Sequence, residues 1–121
     1  MSNEYEKSIG GTVHYLLRIQ LPPNSTLHVN LLDVTSTDVP AKELARQVIP
    51  NAETTGLDFN LLYKVADVLP DHRYAIRARI ETTEQVIFAT TKDHAVQLGV
   101  DHLRPEDVIV RNVRTKPDSN F

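Results

Sequence analysis

The sequence predicts an all-β fold, an antiparallel two-sheet β-sandwich of about seven strands. Short apolar runs alternate with polar residues at a period of two. Prolines, glycines and Asn/Asp residues punctuate these runs at short intervals. No long stretch carries a secure helical period. A barrel satisfies the same pattern and is the minor alternative.

Residues 1–9 read as a flexible leader, 10–115 as a single sandwich domain, and 116–121 as a polar tail. The first strand is expected over Thr12–Gln20, with Val13, Tyr15, Leu17 and Ile19 on one face. Leu21-Pro22-Pro23-Asn24-Ser25 ends it, because two prolines remove two ladder donors. Thr26–Val34 alternates again, with Leu27, Val29 and Leu31 inward. The segment between Pro40 and Pro50 is ambiguous. Ala41, Leu44, Ala45, Val48 and Ile49 fit helical spacing, whereas the all-β context favours a strand over Glu43–Ile49. Leu57–Tyr63 follows, after Gly56. Tyr74–Thr82 is the clearest strand, with Tyr74, Ile76, Ala78 and Ile80 dry and Arg77, Arg79 and Glu81 wet. A short connection then leads to Val86–Thr90, the second arm of a hairpin. Asp107–Arg114 is the last strand.

The chain has 121 residues, of which 40% are hydrophobic, enough for one continuous core at this length. It carries 13 basic and 16 acidic residues, a formal charge of −3, with the basic residues dispersed. That balance argues against a nucleic-acid surface, which needs clustered Lys and Arg. Cysteine is absent, so the fold rests on packing and hydrogen bonds, and thiol chemistry is excluded. No apolar run reaches transmembrane length, and the polar start lacks the apolar stretch of a signal peptide.

No catalytic, cofactor-binding or metal site is expected. The four glycines form neither a phosphate loop nor a dinucleotide fingerprint, and no serine sits between glycines. Three of the five histidines follow an aspartate: Asp71-His72, Asp93-His94 and Asp101-His102. Adjacent strand residues point to opposite faces, so such a pair does not meet on a strand. These residues read as solvated turns. His14 and His28 would stand roughly 17 Å apart if the first two strands formed a hairpin, too far to share a metal. Arg77 and Arg79 read either as a surface for an acidic partner or as an ordinary charged outer face.

Several segments are more specific than their patterning. These are Gly11-Thr12-Val13-His14-Tyr15-Leu16-Leu17-Arg18-Ile19-Gln20-Leu21-Pro22-Pro23, Val29-Asn30-Leu31-Leu32-Asp33-Val34, Ala45-Arg46-Gln47-Val48-Ile49-Pro50, and Asp71-His72-Arg73-Tyr74-Ala75-Ile76-Arg77-Ala78-Arg79-Ile80-Glu81. Together they resemble the YbaY/YscW family of bacterial lipoproteins, also described as type III secretion lipoprotein chaperones. The resemblance runs from about Gly10 to Arg114. It implies a β-sandwich on the periplasmic face of a Gram-negative outer membrane. Members similar to YscW are pilotins, which help a secretin reach the outer membrane and assemble. Members similar to YbaY stand alone, some with a loose label of polysaccharide metabolism. No catalytic residue is implied.

The resemblance also implies a signal peptide and a lipidated Cys, and this chain shows neither. A trimmed start keeps the envelope location, whereas a naturally soluble relative would be cytoplasmic. The expected function is a non-catalytic envelope accessory protein that binds a secretin or other envelope protein. The alternative is a small-ligand or polysaccharide-binding module. Leu16, Leu32 and Leu62 fall on the outward phase of their strands, and with Arg77 and Arg79 they are the expected partner-binding residues.

Overall fold

A computed structural model describes residues 5–37 and 39–113, and the expected tail at 116–121 lies outside the described residues. The strands are β1 (Glu6–Tyr15), β2 (Thr26–Asp33), β3 (Lys42–Ile49), β4 (Asp58–Lys64), β5 (Tyr74–Glu81), β6 (Val86–Ala89), β7 (His94–Val96) and β8 (Glu106–Asn112). A single helical turn, α1 (Ala52–Thr55), links β3 to β4.

The fold is all-β, as the alternation predicts, but it is not a clear two-sheet sandwich. The strands form one sheet in the order β3-β2-β5-β6-β8-β1-β4, with β7 added beside part of β5. β8 is the joint. It pairs in parallel with β1 (Val13 opposite Val108) and antiparallel with β6 (Phe88 opposite Asn112). The sheet therefore curls into a nearly closed barrel, and its two edges, β3 and β4, come to lie side by side. An inward apolar face looks the same in a sandwich and in a curled sheet. Only the long-range pairing through β8 separates them.

The core follows the period of two. Ile9 and Val13 of β1, Leu27, Val29 and Leu31 of β2, and Phe59, Leu61 and Tyr63 of β4 are buried. Tyr74, Ile76, Ala78 and Ile80 of β5 and Val108 and Val110 of β8 complete it. Burying each large side chain stabilises the fold by about 1.5–3 kcal/mol before conformational entropy is charged against it. The β1–β8 pairing depends on Gly11, where an added Cβ would lie 2.1 Å from the Glu106 carbonyl oxygen.

Several elements differ from expectation. β1 starts at Glu6, inside the expected leader, because Glu6–Thr12 find partners on β4 from Lys64 to Asp58. It ends at Tyr15, five residues early, and Leu17 and Ile19 are exposed rather than in core phase. The segment over 42–49 is a strand, and a bulge explains its helix-like spacing. Leu31 opposes Ala45 and Leu32 opposes Glu43, which leaves Leu44 as the extra residue. Leu44 and Ala45 then both pack against the core. The turn α1 and the short β7 are not foreshadowed by the alternation. Gly56, at φ 106°, closes α1 in a conformation that side chains disfavour.

Candidate functional site

One end of the barrel carries an open depression built by the β1–β2 connection. β1 stops at Tyr15, where its pairing with β8 ends at Val110. The chain then leaves the sheet, and the next two prolines cannot donate to a ladder. Residues Leu16–Gln20 are all exposed. The Tyr15 hydroxyl donates to the Ile19 carbonyl at 2.8 Å and folds this stretch into an arch. The Tyr15 ring packs on Phe88 with centroids 5.0 Å apart.

The root of the connection is rigid. Ser25 is fully buried and its hydroxyl donates to the Pro22 carbonyl at 2.6 Å. The Asn24 and Ser25 N–H groups donate to the two carboxylate oxygens of Glu53, each at 3.1 Å. Ala52 N–H donates to the Ser25 carbonyl at 2.7 Å. These bonds fix the loop to α1. The Glu53 carboxyl is held below its ordinary range, first by its own backbone N–H and then by those of Ser25 and Asn24, against the effect of burial.

Between the arch and α1 lies a cavity of about 510 Å³, walled by Tyr15, Gln20, Leu21, Ala52, Glu53 and Leu57. Leu16 (61% exposed), Leu17 and Ile19 do not line it but stand exposed on the arch between Tyr15 and Gln20, which do. Three large aliphatic residues thus stand in water within four positions of chain. Isolated exposed apolar residues are ordinary, but a cluster beside a cavity marks a contact surface. Arg18 projects from the same arch and has no partner among the described residues.

The five expected partner-binding residues do not form one patch. Leu16 lies on the arch. Leu62 is exposed on β4 opposite Ser8, seven strand residues from Tyr15, or roughly 24 Å. Leu32 points outward, as its phase requires, yet is only 8% exposed. It lines a depression of about 360 Å³ with Asn30, Arg77 and Arg79. Both arginines already have counter-charges. Arg77 donates twice to Asp93, from Nε at 2.6 Å and Nη2 at 3.2 Å, while Arg79 Nε donates to Glu81 at 3.3 Å. Leu17 and Ile19 are surface residues that the strand assignment hid. The Pro22-Pro23 pair was the available signal that the ladder must fail nearby.

The histidines are not bare turn residues. His14 lies 2.9 Å from Asp107, His28 2.9 Å from Glu81, and His94 2.7 Å from Glu106. His72 bonds Asp33, and His102 lies 2.7 Å from the Tyr63 hydroxyl. None of the three Asp-His neighbours pairs internally through these bonds. β1 and β2 are not paired to one another, so the hairpin distance for His14 and His28 does not apply. Among the described residues, no group of three or more His, Asp or Glu side chains could hold a metal.

The comparisons with known proteins agree with one another. The family described as type III secretion system lipoprotein chaperone (YscW) matches residues 4–106. The uncharacterized lipoprotein YbaY of Escherichia coli K12 is 30% identical over 86 residues, 70% of this chain and 45% of that protein. The match therefore spans less than half the length of this curated relative. The alternative pilotin of the Vibrio cholerae type II secretion system superposes with a TM-score of 0.80 at 32% identity, covering 92% of this chain and all of that one.

Proposed function

The chain belongs to the family of type III secretion system lipoprotein chaperones, and from that premise we propose that it is an envelope accessory protein that binds a secretin. Docking takes place at the arch, where a short apolar segment of the partner fills the cavity between Tyr15, Leu21 and Leu57. The observation that carries this reading is the exposure of Leu16, Leu17 and Ile19 on the arch whose ends, Tyr15 and Gln20, line that cavity. Its volume suits two or three apolar side chains. The bonds from Asn24, Ser25 and Ala52 pre-organise the rim, which lowers the ordering cost of binding. Arg18 supplies a charge to set the direction of the bound segment.

Leu62, Leu32, Arg77 and Arg79 have no part in this docking. Leu62 is at the other end, Leu32 is buried, and the two arginines are neutralised by Asp93 and Glu81. The family is described as a chaperone and not as an enzyme, which agrees with a binding role. The polysaccharide-binding alternative is not adopted. Phe59, Tyr63, Tyr74 and Phe88 are buried and Tyr15 is half-buried, so among the described residues Tyr5 alone is an exposed aromatic, where a sugar platform needs several exposed faces together.

The test uses peptides tiled along the secretin of the same cell, titrated against the wild-type chain and Leu17→Asp. Binding of one peptide, weakened about tenfold or more by Leu17→Asp at unchanged Tm, is the expected result. No binding at high micromolar peptide, or equal binding by the variant, refutes the reading.

A further inference from the structure

The ladder between β6 and β8 is short, and it breaks in a defined way. Phe88 pairs with Asn112 and Ala89 with Arg111, and just beyond them Val113 N–H donates to the Ile87 carbonyl. Carried on in the same register, Thr90 would face Val110 and His94 would face Glu106. At the far end that register is met again, by side chains: His94 Nε2 lies 2.7 Å from Glu106 Oε1. Between these two ties no ladder forms. Thr90 N–H turns instead to the Ala78 carbonyl, and Arg77 of β5 donates twice to Asp93. Over Glu106–Val110, β8 is paired to β1 alone, so its other edge is bare.

A cavity of about 530 Å³ occupies this break. Thr91, Lys92, Asp93 and His94 wall it on one side, and Ile109 and Arg111 on the other. The break is about four residues long, or roughly 14 Å at ~3.4 Å per residue. A bare strand edge presents N–H and C=O groups that pair readily with another extended chain.

The charges around the cavity are unbalanced. Asp93 is answered by Arg77, and Glu106 by His94. Asp107, the next outward residue of β8, meets His14 at 2.9 Å. Lys92 and Arg111 have no hydrogen-bond or ion-pair partner among the described residues. In a chain whose formal charge is −3, this cavity carries uncompensated positive charge.

We propose that the break binds a short acidic segment of a protein partner in extended conformation, with its carboxylates at Lys92 and Arg111 and its main chain along the bare edge of β8. Ile109, 38% exposed, offers that segment an apolar contact on the β8 side. An inorganic anion would meet the two cations but leave most of the cavity and the strand edge unused. The inference does not rest on the docking arch, whose cavity shares no lining residue with this one.

The probe is tetraglutamate, acetylated and amidated at its ends, titrated at constant ionic strength into the full isotope-labelled chain. Tetraglutamine is the uncharged control. The expected result is a set of amide shifts centred on residues 91–94 and 108–111, with tetraglutamine binding about tenfold or more weakly. Lys92→Glu combined with Arg111→Glu weakens tetraglutamate by about tenfold or more at unchanged Tm. Lys92→Ser with Arg111→Ser serves if charge reversal disturbs the fold, and it weakens binding in the same direction. No shift at about 10 mM tetraglutamate overturns the proposal. Equal binding by the variants does so too, as do shifts of the same size around Arg18, Arg46 and Arg104. Inorganic phosphate giving the same shifts at the same affinity also overturns it, since the site would then take an ion and not a peptide.

Discussion

Gln47 on β3 closes the barrel against Asn60 on β4: its Oε1 accepts the Asn60 backbone N–H at 2.7 Å. A side chain thus does at this seam what backbone carbonyls do between the paired strands. Removing it in Gln47→Ala should cost about 1 kcal/mol, the net value of one exposed hydrogen bond. Amide exchange at Asn60 should quicken while Leu61 keeps its protection. Unchanged exchange at Asn60 would show that the seam is held by packing alone.

Gly11 faces a different constraint. A Cβ there would lie 2.1 Å from the Glu106 oxygen and 2.7 Å from the Glu106 nitrogen, both backbone atoms of β8. Gly11→Ala should therefore destabilise by about 1–3 kcal/mol or prevent folding. Gly10→Ala meets its neighbours at 3.1 Å and should cost less. Denaturation midpoints in the reverse order would contradict the close parallel pairing of β1 and β8.

Asp33 gives the acid limb of stability. Burial works against its charge, but hydrogen bonds from Thr35 and His72 overcome that and lower its pKa to about 2 from 3.8. A depressed carboxylate pKa stabilises the fold above the unfolded value and ceases to do so as pH falls through the folded one. Asp33 should contribute about 2 kcal/mol above pH ~4, lost between there and pH ~2. Asp33→Asn should be destabilised by a similar amount at neutral pH and by much less at pH ~2. Parallel pH–stability curves for the two proteins would refute this.

The Tyr63–His102 contact should respond to pH in the same direction. Burial foremost, with Lys7, holds the His102 pKa below its ordinary 6.5, although Glu106 and Asp101 oppose it. A histidine pKa lowered by folding stabilises the fold above pH 6.5, and that contribution fades as pH falls through the lower folded value. Tyr63→Phe should cost about 1 kcal/mol, because the part-buried hydrogen bond from Gly99 N–H is lost with it. NMR titration of His102 reads the first effect directly, and a midpoint above 6.5 would contradict it.

The strands were legible because alternation records which face is dry. Leu27-Val29-Leu31 and Tyr74-Ile76-Ala78-Ile80 are buried as their spacing requires. The curl of the sheet was not legible. It depends on β8 meeting both β1 and β6, and residues nearly a hundred positions apart leave no local signature. The helix-like spacing at 41–49 arose from one bulged residue, Leu44. At the docking arch, Leu16 was readable from its phase. Leu17 and Ile19 were not, because the ladder ends at Tyr15 for want of partners, and Pro22-Pro23 signals only that it fails somewhere before them. Leu32 kept its outward phase, but neighbours on adjacent strands cover it.

Photo-crosslinking in living cells tests the docking arch most directly. A benzophenone amino acid is placed at Leu17, and in separate strains at Leu32 and Leu62. The account predicts a crosslink to the secretin from position 17, lost when Leu57→Asp is added, and none from 32 or 62. A secretin crosslink from position 32 or 62 with none from 17 would contradict it, as would the absence of any crosslink in cells that assemble the secretin.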